Sequence, residues 1–297
     1  MTGRSRPPGG SRRPRRGQAP SGVPAGRRAA ERRPARGRDA TRRQTRGLGG
    51  EQVEGRRAVR ELLAAGRRRT RDVWLAEGLD DSPLLDEIRL LAAEGGVRLR
   101  TVARSRLDAE SRTEVPQGVL AHAEALPEVD LDALCQPSPG GPSPFLVVLD
   151  GVTDPHNLGA LLRTAEGAGA TGAVLARHGA AHVTPTVAKA AAGAIERLPM
   201  AMVPSVPGSL AELARQSVWT VGLDSSAETS LFGLALADQP LALVLGSEGR
   251  GLARLTRQRC DLVVAIPRVG SLASLNVAAA GAVACFEVAR QRLALSY

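Results

Sequence analysis

The chain has 297 residues, 40 Lys and Arg against 30 Asp and Glu, and a formal net charge of +10. That length holds one large domain or two modest ones with a real core. The charge is concentrated: residues 1–48 carry 15 Arg against only Glu31 and Asp39, a local charge of +13, which leaves −3 for everything after them. Cys135, Cys260 and Cys285 are odd in number and far apart, which excludes a disulfide framework and a zinc pattern and fits the reducing cytoplasm. The four histidines, His122, His156, His178 and His182, do not cluster with carboxylates at metal-ligand spacing, so no metal is expected. No apolar run approaches the ~20 residues of a membrane span. The start of the chain lacks the apolar core of a secretion signal, and its Pro and Gly defeat an amphipathic transit helix. Lys189 is the only lysine, and Arg beside so much Ala and Gly reflects GC-rich coding rather than chemistry.

Residues 1–48 offer almost nothing to bury, so they cannot offset their ordering entropy and are expected as a disordered tail. Arginines in such a tail neutralise phosphates whatever the base sequence, in a salt-sensitive way. From Gly55 the pattern becomes periodic. Val59, Leu62 and Leu63 follow helical spacing up to Gly66. A strand is expected at 72–77, a helix from Ser82-Pro83 through Glu94, a strand at 97–103, a helical turn, and strand-like sequence at 117–125. This is a small α/β domain over residues 49–125. Residues 126–144, with the run QPSPGGPSP, have the composition of an interdomain linker.

The second domain, 145–297, opens with FLVVLD (145–150), a continuous apolar run suited to a strand buried on both faces. Further strands are expected at 172–176, 196–203, 217–223, 240–246 and 261–267. Helices are expected between and after them at 155–168, 184–194, 208–216, 252–258 and 275–292. Strand alternating with helix implies a parallel sheet with helices on both faces, so the fold class is α/β.

In such sheets ligands sit beyond the carboxyl ends of the strands. Three of those ends carry unusual sequence. The first, LDGVTDPHNLGALLRT, has Asp154 placed to cap a helix with Pro155 at its first position, and Asn157 and Arg163 following. The second, LVLGSEGRGL, has Gly246, Gly249 and Gly251 where a ligand can approach the backbone, and Glu248 between them. The third runs from Ile266-Pro267 through Ser274, Leu275 and Asn276 into a helix of small residues. Each feature alone has an ordinary explanation as a turn, a cap or a solvated face; together they point to one crevice. GSEGRG does not have dinucleotide-binding spacing, and too little chain follows it for the rest of a nucleotide-binding half. Hydrolase elbows and Walker loops are absent, and aromatics are too sparse for base-stacking platforms.

These three segments, in this order, resemble the three motifs of SpoU-type RNA 2′-O-methyltransferases of the SPOUT superfamily: Asn157 with Arg163 six residues on, Gly246-Ser247-Glu248-Gly249, and Ile266-Pro267 through Ser274-Leu275-Asn276-Val277. The match covers residues 145–292 without gaps. Residues 49–124 also look like the small RNA-binding domain of the family's 23S rRNA guanosine branch, although Pro116 stands where His is frequent. The resemblance implies S-adenosylmethionine as cofactor, an RNA substrate, a C-terminal trefoil knot and a homodimer that completes the site. It implies catalytic roles for Arg163, Asn157, Glu248, Ser274 and Asn276, and cofactor contacts at Gly246, Gly249, Ile266, Leu275 and Asn276. Arg163 holds the family's central role. Because a guanidinium keeps its proton, its expected part is to clamp a phosphate and stabilise a developing alkoxide rather than to act as base. Other readings of the same scaffold are a tRNA 2′-O-methyltransferase, a peptide-antibiotic-resistance rRNA methylase, and a catalytically silent RNA-binding or ribosome-assembly factor.

Overall fold

A computed structural model describes residues 47–137, 139–235, 238–270 and 274–295. The expected disordered tail lies outside the described residues except at its last two positions. The first sheet is built from β1 (Gln52–Glu54), β2 (Thr70–Ala76), β3 (Arg98–Val102) and β4 (Val119–Ala123), in the order β1-β4-β2-β3. β2 and β3 run parallel, and β4 is antiparallel to both β1 and β2. Side chains alternate across it as strand geometry requires. Val73 and Leu75 share a core with Val59 and Leu62 of α1 (Arg56–Ala65) and with Leu85 and Ile88 of α2 (Pro83–Glu94). Trp74 and Ala76 pack instead with Leu107 of α3 (Arg104–Glu110). β1 has only three residues, too few to show a period in the sequence.

Secondary structure continues into the stretch expected as a linker. α4 (Leu131–Leu134) lies there, Val129 donates its N–H to the Met200 carbonyl at 2.9 Å, and Leu126, Leu134 and Cys135 are buried. Ahead of the proline- and serine-rich run, apolar residues recur among acidic ones at intervals short enough to seat this segment on the larger sheet.

That sheet has six strands, all parallel: β5 (Phe145–Asp150), β6 (Gly172–Ala176), β7 (Met200–Val203), β8 (Trp219–Leu223), β9 (Leu241–Gly246) and β10 (Leu262–Val264), in the order β10-β8-β9-β5-β6-β7. β5 and β9 are central and buried almost end to end, as their uninterrupted apolar sequences require. One face packs against α5 (Pro155–Gly167), α6 (Pro185–Ala190) and α9 (Val277–Leu295); the other packs against α4 and α7 (Val206–Arg215), with α8 (Arg254–Arg259) joining α7 at the edge. Three helices repeat one start signal, an oxygen-bearing cap followed by proline: Ser82-Pro83, Asp154-Pro155 and Thr184-Pro185. The strand expected from 196 starts only at Met200. A 3₁₀ turn occupies Ala194–Glu196, and Pro199, with no N–H to give a ladder, precedes the strand.

The chain lays down β5, β6 and β7 outward in one direction, then returns to place β8, β9 and β10 on the other side of β5. The order reverses between β5 and β9, and ligands in open parallel sheets bind outside the carboxyl ends of the strands at such a reversal.

Candidate active site

Asp154 follows the end of β5 and accepts the Asn157 N–H at 2.7 Å, which fixes the first turn of α5. Asn157 then donates from Nδ2 to Glu248 Oε2 at 2.9 Å. Its own Oδ1 accepts from Asn276 Nδ2 at 3.0 Å, and that same Nδ2 reaches Glu248 Oε1 at 3.5 Å. An ionised carboxylate only accepts, so Glu248 sets which way the Asn157 amide faces, and Asn157 in turn orients Asn276. Asn276 Oδ1 accepts from the Ala278 and Ala279 N–H groups at 2.8 and 3.3 Å, capping α9. Three segments from three strand ends are thus tied by one polar cluster at the rim of the sheet.

Beneath it, residues 247–251 fold back on themselves. Ser247 N–H donates to the Gly251 carbonyl at 3.0 Å, and Gly251 N–H to the Ser247 carbonyl at 2.9 Å. The turn needs left-handed backbone at Gly249 (φ 79°) and Gly251 (φ 67°). A Cβ on Gly246 would lie 2.1 Å from the Gly251 carbonyl carbon, so only glycine fits where the loop doubles over the end of β9. The loop walls a cavity of about 180 Å³ that opens to solvent. Leu223, Leu245, Ile266, Leu275 and Val277 give it an apolar lining, with Gly246, Glu248, Gly249 and Ser274 on its polar side. Leu275 is 41% exposed although it lines the cavity.

Asp224 and Ser225, just past the end of β8, also line this cavity and were not singled out from sequence. The strand-end rule applied to β8 would have found them. Burial pushes the Asp224 carboxyl up, but the Ser226 N–H and hydroxyl, at 2.8 and 2.7 Å, and Arg257 at 3.1 Å together hold it below the ordinary carboxylate range.

Arg163 departs from the expectation of a single crevice. It stands six positions along the helix from Asn157, which turns it about 120° around α5 and carries it roughly 9 Å along the axis. It is exposed in a second groove, with Arg56, Arg57, Gln117 and Lys189, and does not line the cavity beside Gly246. No hydrogen bond or ion pair to its guanidinium is found among the described residues. Asn157, Glu248 and Asn276 meet; Gly246, Gly249, Ile266, Ser274 and Leu275 surround the cavity; Arg163 stands apart.

The cavity fits the cofactor implied by the resemblance. Leu223, Ile266 and Leu275 offer the flat apolar surfaces that an adenine needs, and the Gly246 backbone is open to close approach because no side chain can stand there. Among the described residues no group of three or more His, Cys, Asp or Glu side chains is placed to hold a metal ion, and no helix is long and apolar enough to cross a membrane.

Comparison with known proteins agrees with this geometry. The SpoU rRNA Methylase family matches residues 144–286, and the RNA 2′-O ribose methyltransferase substrate binding family matches residues 52–129. The 23S rRNA (guanosine-2′-O-)-methyltransferase RlmB of Haemophilus influenzae is 40% identical over 247 residues, covering 82% of this chain and 98% of its own length. The Pasteurella multocida protein of the same name is 41% identical, over 82% of this chain and 99% of its own. Among solved structures, the SpoU methyltransferase AviRb from Streptomyces viridochromogenes, in complex with the cofactor AdoMet, superposes with a TM-score of 0.68 at 29% identity, covering 82% of this chain and 90% of its own. With the three motifs converging on one strand-end cavity and relatives matched over nearly their whole length, the chain belongs to the SpoU rRNA methylase family.

Proposed function

We propose that this protein methylates the 2′-hydroxyl of a guanosine ribose in 23S rRNA, using S-adenosylmethionine. The observation that carries the reading is the Asn157–Glu248–Asn276 cluster standing at the rim of the Gly246 cavity, in a chain about 40% identical to enzymes of that name. The cofactor supplies an electrophilic methyl on a sulfonium. The ribose oxygen forms the new O–C bond as the C–S bond breaks in line, and the hydroxyl proton must leave. A ribose hydroxyl is a poor nucleophile until that proton is shared or removed. Asn157 and Asn276 present neutral amide groups, pre-oriented by Glu248, that position the hydroxyl. Arg163 clamps an adjoining phosphate and stabilises the alkoxide as it develops, while a backbone phosphate or water takes the proton. A guanidinium is a donor only, so it does not take the proton itself. Ser274, on the wall of the same cavity, offers its hydroxyl to the bound substrate or cofactor. Ile266 and Leu275 hold the adenine, and Gly246 and Gly249 approach the cofactor with their backbones.

The reading includes a homodimer. Arg163 and the cavity open on different grooves of one chain, so a second copy brings the two together. α9 supports it, since Val283 and Phe286 are 37% and 53% exposed on a helix that is apolar around most of its circumference. It also includes the family's deep trefoil knot, supported by the path from β10 at the sheet edge back to Ile266, Ser274 and Leu275 beside the Gly246 loop. A 23S rRNA substrate places the protein in the cytoplasm with the ribosomes.

The test uses methyl-labelled S-adenosylmethionine with separate unmodified 23S, 16S and tRNA pools, each digested to nucleosides. Label in 2′-O-methylguanosine from 23S rRNA alone is expected. Label in tRNA would keep the chemistry and overturn the substrate; label in none, with cofactor bound, would sink the enzyme reading for mature RNA.

A further inference from the structure

The second groove, where the small sheet meets α5 and α6, has a volume of about 650 Å³. Arg56, Arg57, Arg104, Lys189 and Arg163 line it, against Glu54 and Asp80 as the only acids. Glu54 is spent: its carboxylate accepts from the Arg112 and Thr113 N–H groups, the Thr113 hydroxyl and the Gln52 amide. The adjoining hollow, which shares Arg57 and Arg163, is different. There Arg60 pairs with Glu61 and Glu87, and Arg197 pairs with Glu61. Arg57, Arg104 and Arg163 of the second groove have no ion pair among the described residues, and only Arg104 of the three does not also face the adjoining hollow.

The walls are also held under conformational strain. Among the described residues only Gln117, Ala192 and Ser217 are non-glycine residues with left-handed backbone, and two of them, Gln117 (φ 57°) and Ala192 (φ 50°), line this groove. Such residues cluster where surrounding structure must hold a shape for a ligand. Gln117 holds the position of Arg56, accepting its N–H at 3.1 Å and, through its carbonyl, its Nε–H at 3.4 Å. Lys189, on the opposite wall, donates to the Val115 carbonyl.

Five cations in an open groove, with Asp80 as the one acid on its lining not already bonded elsewhere, match a chain of phosphates. The geometry points to a phosphodiester track: a single RNA strand lies along the groove, its phosphates met by Arg104, Arg57 and Lys189 in turn, and enters the active site where Arg163 takes the phosphate beside the target ribose. The track rests on the proposed rRNA substrate and says which surface of this chain carries it.

Two readings of the full chain with an unmodified 23S rRNA transcript test the track without turnover. The first is RNA affinity across a salt series for wild type, for R57Q/R104Q and for the control R89Q/R215Q, whose arginines pair with acids elsewhere. Losing two phosphate contacts should make the slope of log affinity against log salt shallower by about 1.4 and weaken binding roughly tenfold or more at physiological salt. The control slope should match wild type. The second uses the single lysine: acetylation by an N-hydroxysuccinimide ester, read by peptide mass against the N-terminal amine, should slow at Lys189 when the transcript is bound. An unchanged slope in R57Q/R104Q, an equal change in the control, or Lys189 acetylated as fast with RNA as without would each overturn the track. Failure of wild type to methylate the transcript would remove the proposed function while leaving the binding and protection results to stand or fall separately.

Discussion

Arg68 is the side chain on which the seating of the small sheet against the larger domain should depend most. It sits in the loop after α1 and forms a two-pronged pair with Glu196, Nε to Oε2 at 2.9 Å and Nη2 to Oε1 at 2.6 Å. Its Nη1 also donates to the carbonyls of Gly50, at 2.6 Å, and Glu124. The two charged side chains are only 3% and 2% exposed. Arg68→Met leaves the buried carboxylate without its partner and two carbonyls without a donor. Breaking a buried pair from one side costs about 3–5 kcal/mol, whereas replacing both partners by apolar residues costs little and can stabilise. With a urea slope of roughly 2–3 kcal/mol per molar, the single variant should lower the unfolding midpoint by about 1–2 M. The double variant Arg68→Met/Glu196→Leu should recover most of that. The chain's two tryptophans make the assay local, because Trp74 lies in the small sheet and Trp219 in the large one. Single-tryptophan versions then report each sheet's transition separately. An Arg68→Met cost below ~1 kcal/mol, or a double variant as unstable as the sum of the singles, would refute the reasoning, because uncoupled partners are not a working ion pair.

Gly246→Ala should weaken cofactor binding by two orders of magnitude or more, since the added Cβ collides with the Gly251 backbone that walls the cavity; calorimetry showing wild-type affinity would contradict this. Arg163→Ala should keep cofactor affinity and lose roughly 10²–10³ in turnover, the scale for removing a donor that stabilises developing negative charge. Equal loss of binding and turnover would make Arg163 structural instead. Deleting residues 1–48 should weaken RNA binding and flatten its salt dependence, in proportion to the arginines that reach phosphate; an unchanged slope would deny the tail that role.

Much of the fold was legible because its signals are local. FLVVLD and LALVLG are apolar without alternation, and they are the two central strands, buried on both faces. Ser82-Pro83 and Asp154-Pro155 are read as helix starts from two residues each, and the structure caps both helices there. The Asn157–Glu248–Asn276 meeting was legible in a different way. Strand-end position in a parallel sheet brings distant segments together, so three odd sequences at three ends implied one place. What was not legible depends on packing between distant segments. Arg68 and Glu196 are 128 positions apart and neither sits in a motif. The run QPSPGGPSP makes all of 126–144 read as linker, yet apolar side chains in its first ten residues suffice to dock them. Asp224 was missed because β8 is followed by DSSA, which reads as an ordinary polar turn.

The separation of Arg163 from the cavity follows from helix phase alone, and it yields a prediction that does not depend on knowing the RNA. A spacing of six puts two side chains on different faces of α5, so one chain cannot aim both Asn157 and Arg163 at the same reacting atom without a large rearrangement. If a working site takes its cavity from one copy and its arginine from the other, two differently damaged copies can repair each other. Mixed from the unfolded state in equal amounts, Arg163→Ala and Gly246→Ala chains would form mixed dimers about half the time, by the statistics of a symmetric pair. Each mixed dimer would hold one site with both lesions and one with neither. Turnover should then return to about a quarter of the wild-type value, although each variant alone is nearly inactive. If cavity and arginine come from the same chain, every site in every dimer carries a lesion and mixing restores nothing. Recovery near a quarter would locate the methylated ribose between two copies. No recovery, with mixed dimers demonstrated by differential tagging, would refute the shared site and require α5 to turn when RNA binds.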